Sequence, residues 1–130
     1  MRGEAAADDV AELLAAPTAL SAANYAEVTD HIIRLGGLDA DEAEIRMQLL
    51  VETGMQVIPL DSQLARRAGE IRARHYARKA CPLSLADCCA LATSQAIESP
   101  LATSDPALAT VARAEGSEVI ALPNSRGIRP

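Results

Sequence analysis

The stretch LSLADCCALATSQAIESPLATSD, residues 83–105, decides how this chain reads. Asp87 and Asp105 stand in it eighteen positions apart, among residues that are nearly all small and apolar. Ser84 and Asp87 have the three-residue spacing of a capping box, which opens a helix over LADCCALATSQAI. PLATS then reads as a strand, and Asp105 follows it directly, ahead of PALATVARAE, a helix with proline in its first turn. An aspartate at a helix start is ordinarily a cap. In α/β folds the same place, just past the carboxyl end of a strand, is also where ligands collect.

The flanks repeat the alternation. Downstream, Gly116 stops the helix, SEVIAL reads as a last strand and PNSRGIRP as a loose tail. Upstream, DDVAELLAA reads as a short helix and ALSA as a strand end. Tyr25, Val28, Ile32 and Leu35 then form the stripe of an amphipathic helix that Gly36 and Gly37 end. Asp41 with Glu44 has capping-box spacing ahead of Ile45, Leu49 and Leu50, and Gly54 closes that helix. MQVIPL reads as a buried strand, and Asp61 or Ser62 caps the helix after it. Strands alternating with helices predict an α/β fold with a parallel sheet covered by helices.

Composition narrows the class. The 130 residues, 49% of them hydrophobic, suit one domain with a real core. With no Trp, no Phe and only Tyr25 and Tyr76, that core must be filled by Leu, Ile, Val and many alanines. No run of about twenty apolar residues exists to span a membrane. Asp8, Asp9 and Glu12 stand where a signal peptide needs an apolar run, so the expected location is the cytoplasm, with no membrane partner. Cys81, Cys88 and Cys89 read as buried free thiols, since an adjacent pair does not readily bridge and no CxxC or HxxxH spacing makes a zinc site with His75. No P-loop, G-x-G-x-x-G, H-E-x-x-H or nucleophile elbow is present.

Charge is unevenly divided. Residues 1–60 hold eleven acids against three bases, whereas residues 61–80 hold six bases against Asp61 and Glu70. Arg72, Arg74 and Arg78 in that basic segment are candidates for contact with RNA or an acidic partner, although a solvated helix face is the commoner meaning of such a run.

The carboxylates carry the chemistry. Asp105 after its strand, Asp87 in the first turn of a helix and Glu27 in the first turns of the helix after ALSA lie at corresponding ends of βα units. Brought to one point they repel and need a cation. Hard oxygen ligands without His or Cys select Mg²⁺ or Mn²⁺. A carboxylate-held divalent ion open to water is the apparatus of phosphodiester hydrolysis. Taken alone, Glu27 is a surface glutamate and the two aspartates are caps; His31, one turn from Glu27, flanks the site.

SAANYAEV, LSLADCCALA, LATSDPAL and RAEGSEVIAL, in this order and spacing, resemble the PIN-domain ribonucleases, most closely the VapC-like toxins of bacterial toxin–antitoxin pairs. The resemblance covers essentially the whole chain. It implies a three-layer α/β/α fold around a central parallel sheet over residues 1–122, with 123–130 as tail. It further implies Mg²⁺-dependent cleavage of RNA, a homodimer, and inhibition by a small VapB-like antitoxin. Matched by position, Glu27 is the family's second acid, Asp87 the third and Asp105 the fourth, with Thr103 at the hydroxyl position two before the last. A catalytically inactive PIN-like module that sequesters a protein partner is the alternative.

The family's first acid ends an N-terminal strand in a motif like LDASA, and nothing ahead of Glu27 matches it. MRGEAAADDVAELL resembles the family's sequence from just past that strand and helix. The expectation is that Met1 is an internal methionine of a longer working protein, or else that the domain is degenerate. In either case the chain as it stands is expected to be weakly active at most, with two strand edges left unpaired.

Overall fold

The structure, a computed structural model, describes residues 18–130. The short helix expected over DDVAELLAA lies outside the described residues. Along the chain run β1 (Thr18–Ser21), α1 (Ala22–Arg34), α2 (Ala40–Glu52), β2 (Met55–Ile58), α3 (Ser62–His75), α4 (Leu85–Ala96), β3 (Leu101–Thr103), α5 (Pro106–Ala114) and β4 (Val119–Ala121). It is the mixed α/β fold with short parallel strands that the alternation predicts.

Each of these helices begins on a side chain that accepts an otherwise orphaned backbone N–H. Ser21 accepts from Ala23, Asp61 from Leu64 at 2.8 Å, and Ser84 from Asp87 at 3.0 Å. One cap differs from expectation. Helix α2 starts on Asp39, whose carboxylate accepts from the Glu42 N–H at 2.8 Å, so Asp41 lies inside the first turn and makes no capping box with Glu44. Both aspartates precede the same apolar stripe, and Asp39 is the one three residues from a free N–H. At the other end of α2, Gly54 takes φ +106°, a conformation that a side chain would strain, and so turns the chain into β2.

Among the described residues the pairing between the strands is parallel. β1 lies beside β2 with Thr18 opposite Met55 and Ser21 opposite Ile58, and β3 beside β4 with Leu101 opposite Val119 and Thr103 opposite Ala121. Among the described residues these are two separate pairs; β1 and β3 are not hydrogen-bonded to each other. Helix α4 joins the halves, packing on β1 and β3 and on α1, α3 and α5. Its composition explains why it can. Cys88, Cys89, Leu91, Ala92, Thr93 and Ser94 are all buried, small or slender enough to admit neighbours on several sides, and Thr93 and Ser94 return their hydroxyls to the carbonyls of Cys89 and Leu91.

The core runs along that helix: Ala68 and Ile71 from α3, Leu83, Leu101 from β3, and Leu108, Val111 and Ala112 from α5. Alanines supply much of the contact surface, as a chain without Phe or Trp requires. The tail read as loose has its own order. Asn124 Oδ1 accepts the N–H groups of Arg126 at 2.8 Å and Ile128 at 3.0 Å, and the Asn124 N–H reaches the Ile128 carbonyl at 2.9 Å. Arg129 then ties the segment to the carbonyl of Ala121.

Candidate metal and phosphate site

Asp87, in the first turn of α4, and Asp105, the N-cap of α5, are each held by the start of their own helix. Asp87 Oδ2 accepts the Ser84 N–H at 3.2 Å while Ser84 Oγ accepts the Asp87 N–H, a reciprocal capping box. Asp105 is the N-cap of α5, its Oδ1 accepting from Ala107 at 2.8 Å and Leu108 at 3.4 Å. Thr103, buried at the end of β3, accepts the Asp105 N–H on its hydroxyl at 3.0 Å and so fixes the turn that presents the carboxylate. In both aspartates the second oxygen, Oδ1 of Asp87 and Oδ2 of Asp105, takes no hydrogen bond from the described residues. Both side chains are half-buried.

Connectivity sets each acid by its neighbouring strand. Helix α1 follows β1 without a break, and α5 follows β3 after only Ser104 and Asp105. Helix α4 enters β3 from its amino end, so the start of α4 with Asp87 points back toward the carboxyl edge of the strands. Glu27 sits on α1, exposed, and its backbone carbonyl meets the His31 ring at 3.3 Å. Three residues before it, and hence on the same face of α1, Asn24 has a buried side-chain oxygen with no hydrogen-bond partner among the described residues. Sequence reasoning passed over Asn24, because an asparagine in SAANYAEV carries no spacing signal.

Among the described residues no three His, Cys, Asp or Glu side chains lie close enough to hold one ion. The donor chemistry nevertheless fits Mg²⁺, which needs one or two carboxylates, keeps several waters and takes the rest of its shell from a phosphate. Free oxygens on Asp87 and Asp105, the carboxylate of Glu27 and the orphaned oxygen of Asn24 are all hard donors. The N-terminal dipoles of α4 and α5 attract anions to the same two places.

The thiols beside Asp87 are inert. Burial, with the charge of Asp87 next to it, pushes the Cys88 thiol up to about 11, and burial raises Cys89 as well. The three cysteines are free, with Cys88 and Cys89 buried.

The basic segment is largely occupied within the chain. Arg72 donates to the Leu83 carbonyl at 3.0 Å and lies 4.1 Å over the Tyr76 ring. Arg74 donates to both oxygens of Glu115, at 2.7 and 3.0 Å, and Arg67 reaches the same carboxylate at 3.5 Å and Gln95 at 3.2 Å. His75 Nε2 lies 3.7 Å from Glu115. Arg66 pairs with Glu70 on the exposed face. Arg78 is exposed in the turn that Ala77 and Cys81 close with paired backbone hydrogen bonds. Glu115 is the residue that organises this cluster, and one signal pointed to it: an acid at the C-terminus of a helix faces the negative end of the dipole and needs a cation.

The PIN domain family matches residues 1–114. No curated protein matches the chain.

Proposed function

The chain belongs to the PIN domain family, and on that premise we propose that it is a Mg²⁺-dependent endoribonuclease, a VapC-like toxin held in check by a small VapB-like antitoxin and working as a homodimer. PIN domains are typically metal-dependent nucleases. The observation that carries the reading to this chain is the pair of aspartates, each anchored through one oxygen by its own helix start and left with the other oxygen free. Asp87 and Asp105 hold the ion, directly or through water, and Glu27 orients water at its rim. The ion, Mg²⁺ or Mn²⁺, supplies polarisation of the phosphate and stabilises the leaving oxygen. Thr103 positions Asp105, and the helix N-termini draw the phosphodiester to the same edge. Arg78 is the arginine of the basic segment best placed to meet an RNA backbone, since Arg72 and Arg74 are committed to Leu83 and Glu115. Nothing in such a site reads bases, so the target sequence is set elsewhere.

A second reading is favoured by the absence of a three-ligand cluster among the described residues: a PIN-like module that binds RNA or a protein partner without cutting. One assay separates the two. Purified protein is incubated with end-labelled RNA in Mg²⁺ or EDTA, beside Asp87→Asn. Cleavage that requires Mg²⁺ and is lost in Asp87→Asn supports the enzyme. RNA or antitoxin binding without cleavage by the wild-type chain supports the module.

A further inference from the structure

Helix α3 ends on one of the chain's two aromatic residues, and that ring is on the surface. Tyr76 leaves the helix at ψ 130°, its N–H donating to the Arg72 carbonyl at 2.8 Å, and the residue stays 44% exposed. A chain with no Phe or Trp would gain from burying a ring of this size, so packing does not account for its place. The Arg72 guanidinium lies 4.1 Å from the ring centroid and backs it, while its Nε is itself fixed on the Leu83 carbonyl at 3.0 Å. Leu83 directly precedes Ser84, which shares the capping box with Asp87. A short series of contacts therefore runs from the Tyr76 ring to a carboxylate of the candidate site. Just past Tyr76 the chain turns, Ala77 and Cys81 closing it with backbone hydrogen bonds of 2.9 and 2.8 Å, and the turn carries Arg78 and Lys79. Both are exposed, and among the described residues neither is in an ion pair. No acid stands between Glu70 and Asp87.

We propose that Tyr76 is a base-stacking residue: an unpaired nucleobase of an RNA strand lies on its ring while Arg78 and Lys79 meet the flanking phosphates. The chemistry selects this occupant. An exposed ring backed by a guanidinium attracts a flat π-system, free cations beside it attract phosphate, and an unpaired nucleotide offers both. A base inside a duplex has its faces covered by its neighbours, and an acidic peptide answers the cations but leaves the ring unused. Stacking engages the face of a base rather than its edges, so the contact sets the position of the strand beside Asp87 without reading its sequence. The choice of RNA rests on the ribonuclease reading; the place of the contact rests on Tyr76 and its neighbours.

The chain has no tryptophan, so Tyr76→Trp gives it a single reporter at the site. In EDTA, where no cleavage competes, a short single-stranded RNA should quench that fluorescence, and an abasic oligomer of equal length and charge should not. In anisotropy titrations Tyr76→Leu should weaken binding of the RNA by about fivefold or more and leave binding of the abasic oligomer unchanged, whereas Tyr76→Phe should bind RNA as the wild type does. Salt separates ring from charge: the slope of affinity against salt should be unchanged in Tyr76→Leu and smaller in Arg78→Gln with Lys79→Gln. Tyr76 is exposed, so its variants should keep the circular dichroism spectrum of the parent. RNA and abasic oligomer bound equally well, or Tyr76→Leu weakening both alike, overturns the stacking assignment and leaves the ribonuclease reading standing. Binding of neither oligomer overturns the proposal through its substrate, a result that Mg²⁺-dependent cleavage, measured separately, tells apart from failure of the ring alone.

Discussion

The hydroxyl of Thr103 accepts the backbone N–H of Asp105 at 3.0 Å, so the last residue of β3 sets the direction of the carboxylate that caps α5. The bond links the strand edge to the chemistry. Thr103 is buried, and its replacement by valine keeps the shape while leaving that N–H without its acceptor. Thr103→Val should destabilise the chain by about 1–2 kcal/mol in urea unfolding. Thr103→Ser, which keeps the hydroxyl, should recover most of the loss. Equal stability of the Val and Ser variants would show that the bond contributes nothing.

Capping and metal binding should separate at Asp105. Asparagine caps a helix about as well as aspartate. Asp105→Asn should therefore stay within about 0.5 kcal/mol of the parent in stability while losing Mg²⁺-dependent cleavage. Asp105→Ala should lose both, with about 1 kcal/mol of stability gone. Matched losses of stability in Asn and Ala would mean that charge, rather than the hydrogen bonds to Ala107 and Leu108, holds the start of α5.

Glu115 ties α3 to the end of α5 through Arg67 and Arg74, and its side chain is only 11% exposed. Removing it leaves two guanidinium groups facing each other without their counter-ion. Glu115→Gln should destabilise by about 1–3 kcal/mol, with Arg74→Gln nearer the lower end because Arg74 is half-exposed. Arg78→Gln, at a site with no such tie, should leave stability unchanged. Salt-dependent RNA binding that falls in Arg78→Gln is then a clean measure of phosphate contact, whereas a fall seen only in Arg74→Gln reports a loosened helix.

Alkali should loosen the core at Cys88. Its thiol is raised in the folded chain from 9.0 to about 11, so the folded state holds the proton more tightly than the unfolded state. This contribution is fully present below pH 9 and is lost as pH rises from there through about 11. The melting temperature should fall over that window, and Cys88→Ala, though less stable throughout, should show a shallower fall. Rapid labelling of Cys88 by a thiol reagent at pH 7.5 would contradict the burial that causes the shift.

Much of this was legible from local spacing. Ser84 and Asp87 declare a capping box because each completes the other three residues away, and β3, Asp105 and Pro106 declare a strand-to-helix turn in six letters. What depended on distant partners was not. Asp39 and Asp41 both precede the apolar residues Ile45 and Leu49, and only the position of the Glu42 N–H chooses between them. Arg72 and Arg74 read as free cations because their partners, the Leu83 carbonyl and Glu115, come from other elements, the latter forty-one residues on. The tail looked loose because PNSRGIRP is rich in turn formers. Its order comes from one side chain, Asn124, accepting two backbone N–H groups. Of the site itself, the sequence showed which residues are hard oxygen donors, but not how closely three of them approach.

The central claim is that Asp87 and Asp105 hold a divalent ion, and Mn²⁺ binding followed by the loss of its free-ion electron paramagnetic resonance signal tests it without needing RNA or activity. The wild-type chain should take up Mn²⁺, Mg²⁺ should displace it, and Asp87→Asn and Asp105→Asn should each weaken uptake by about tenfold or more while the fold is retained. Undiminished Mn²⁺ uptake by the folded double variant would contradict the account.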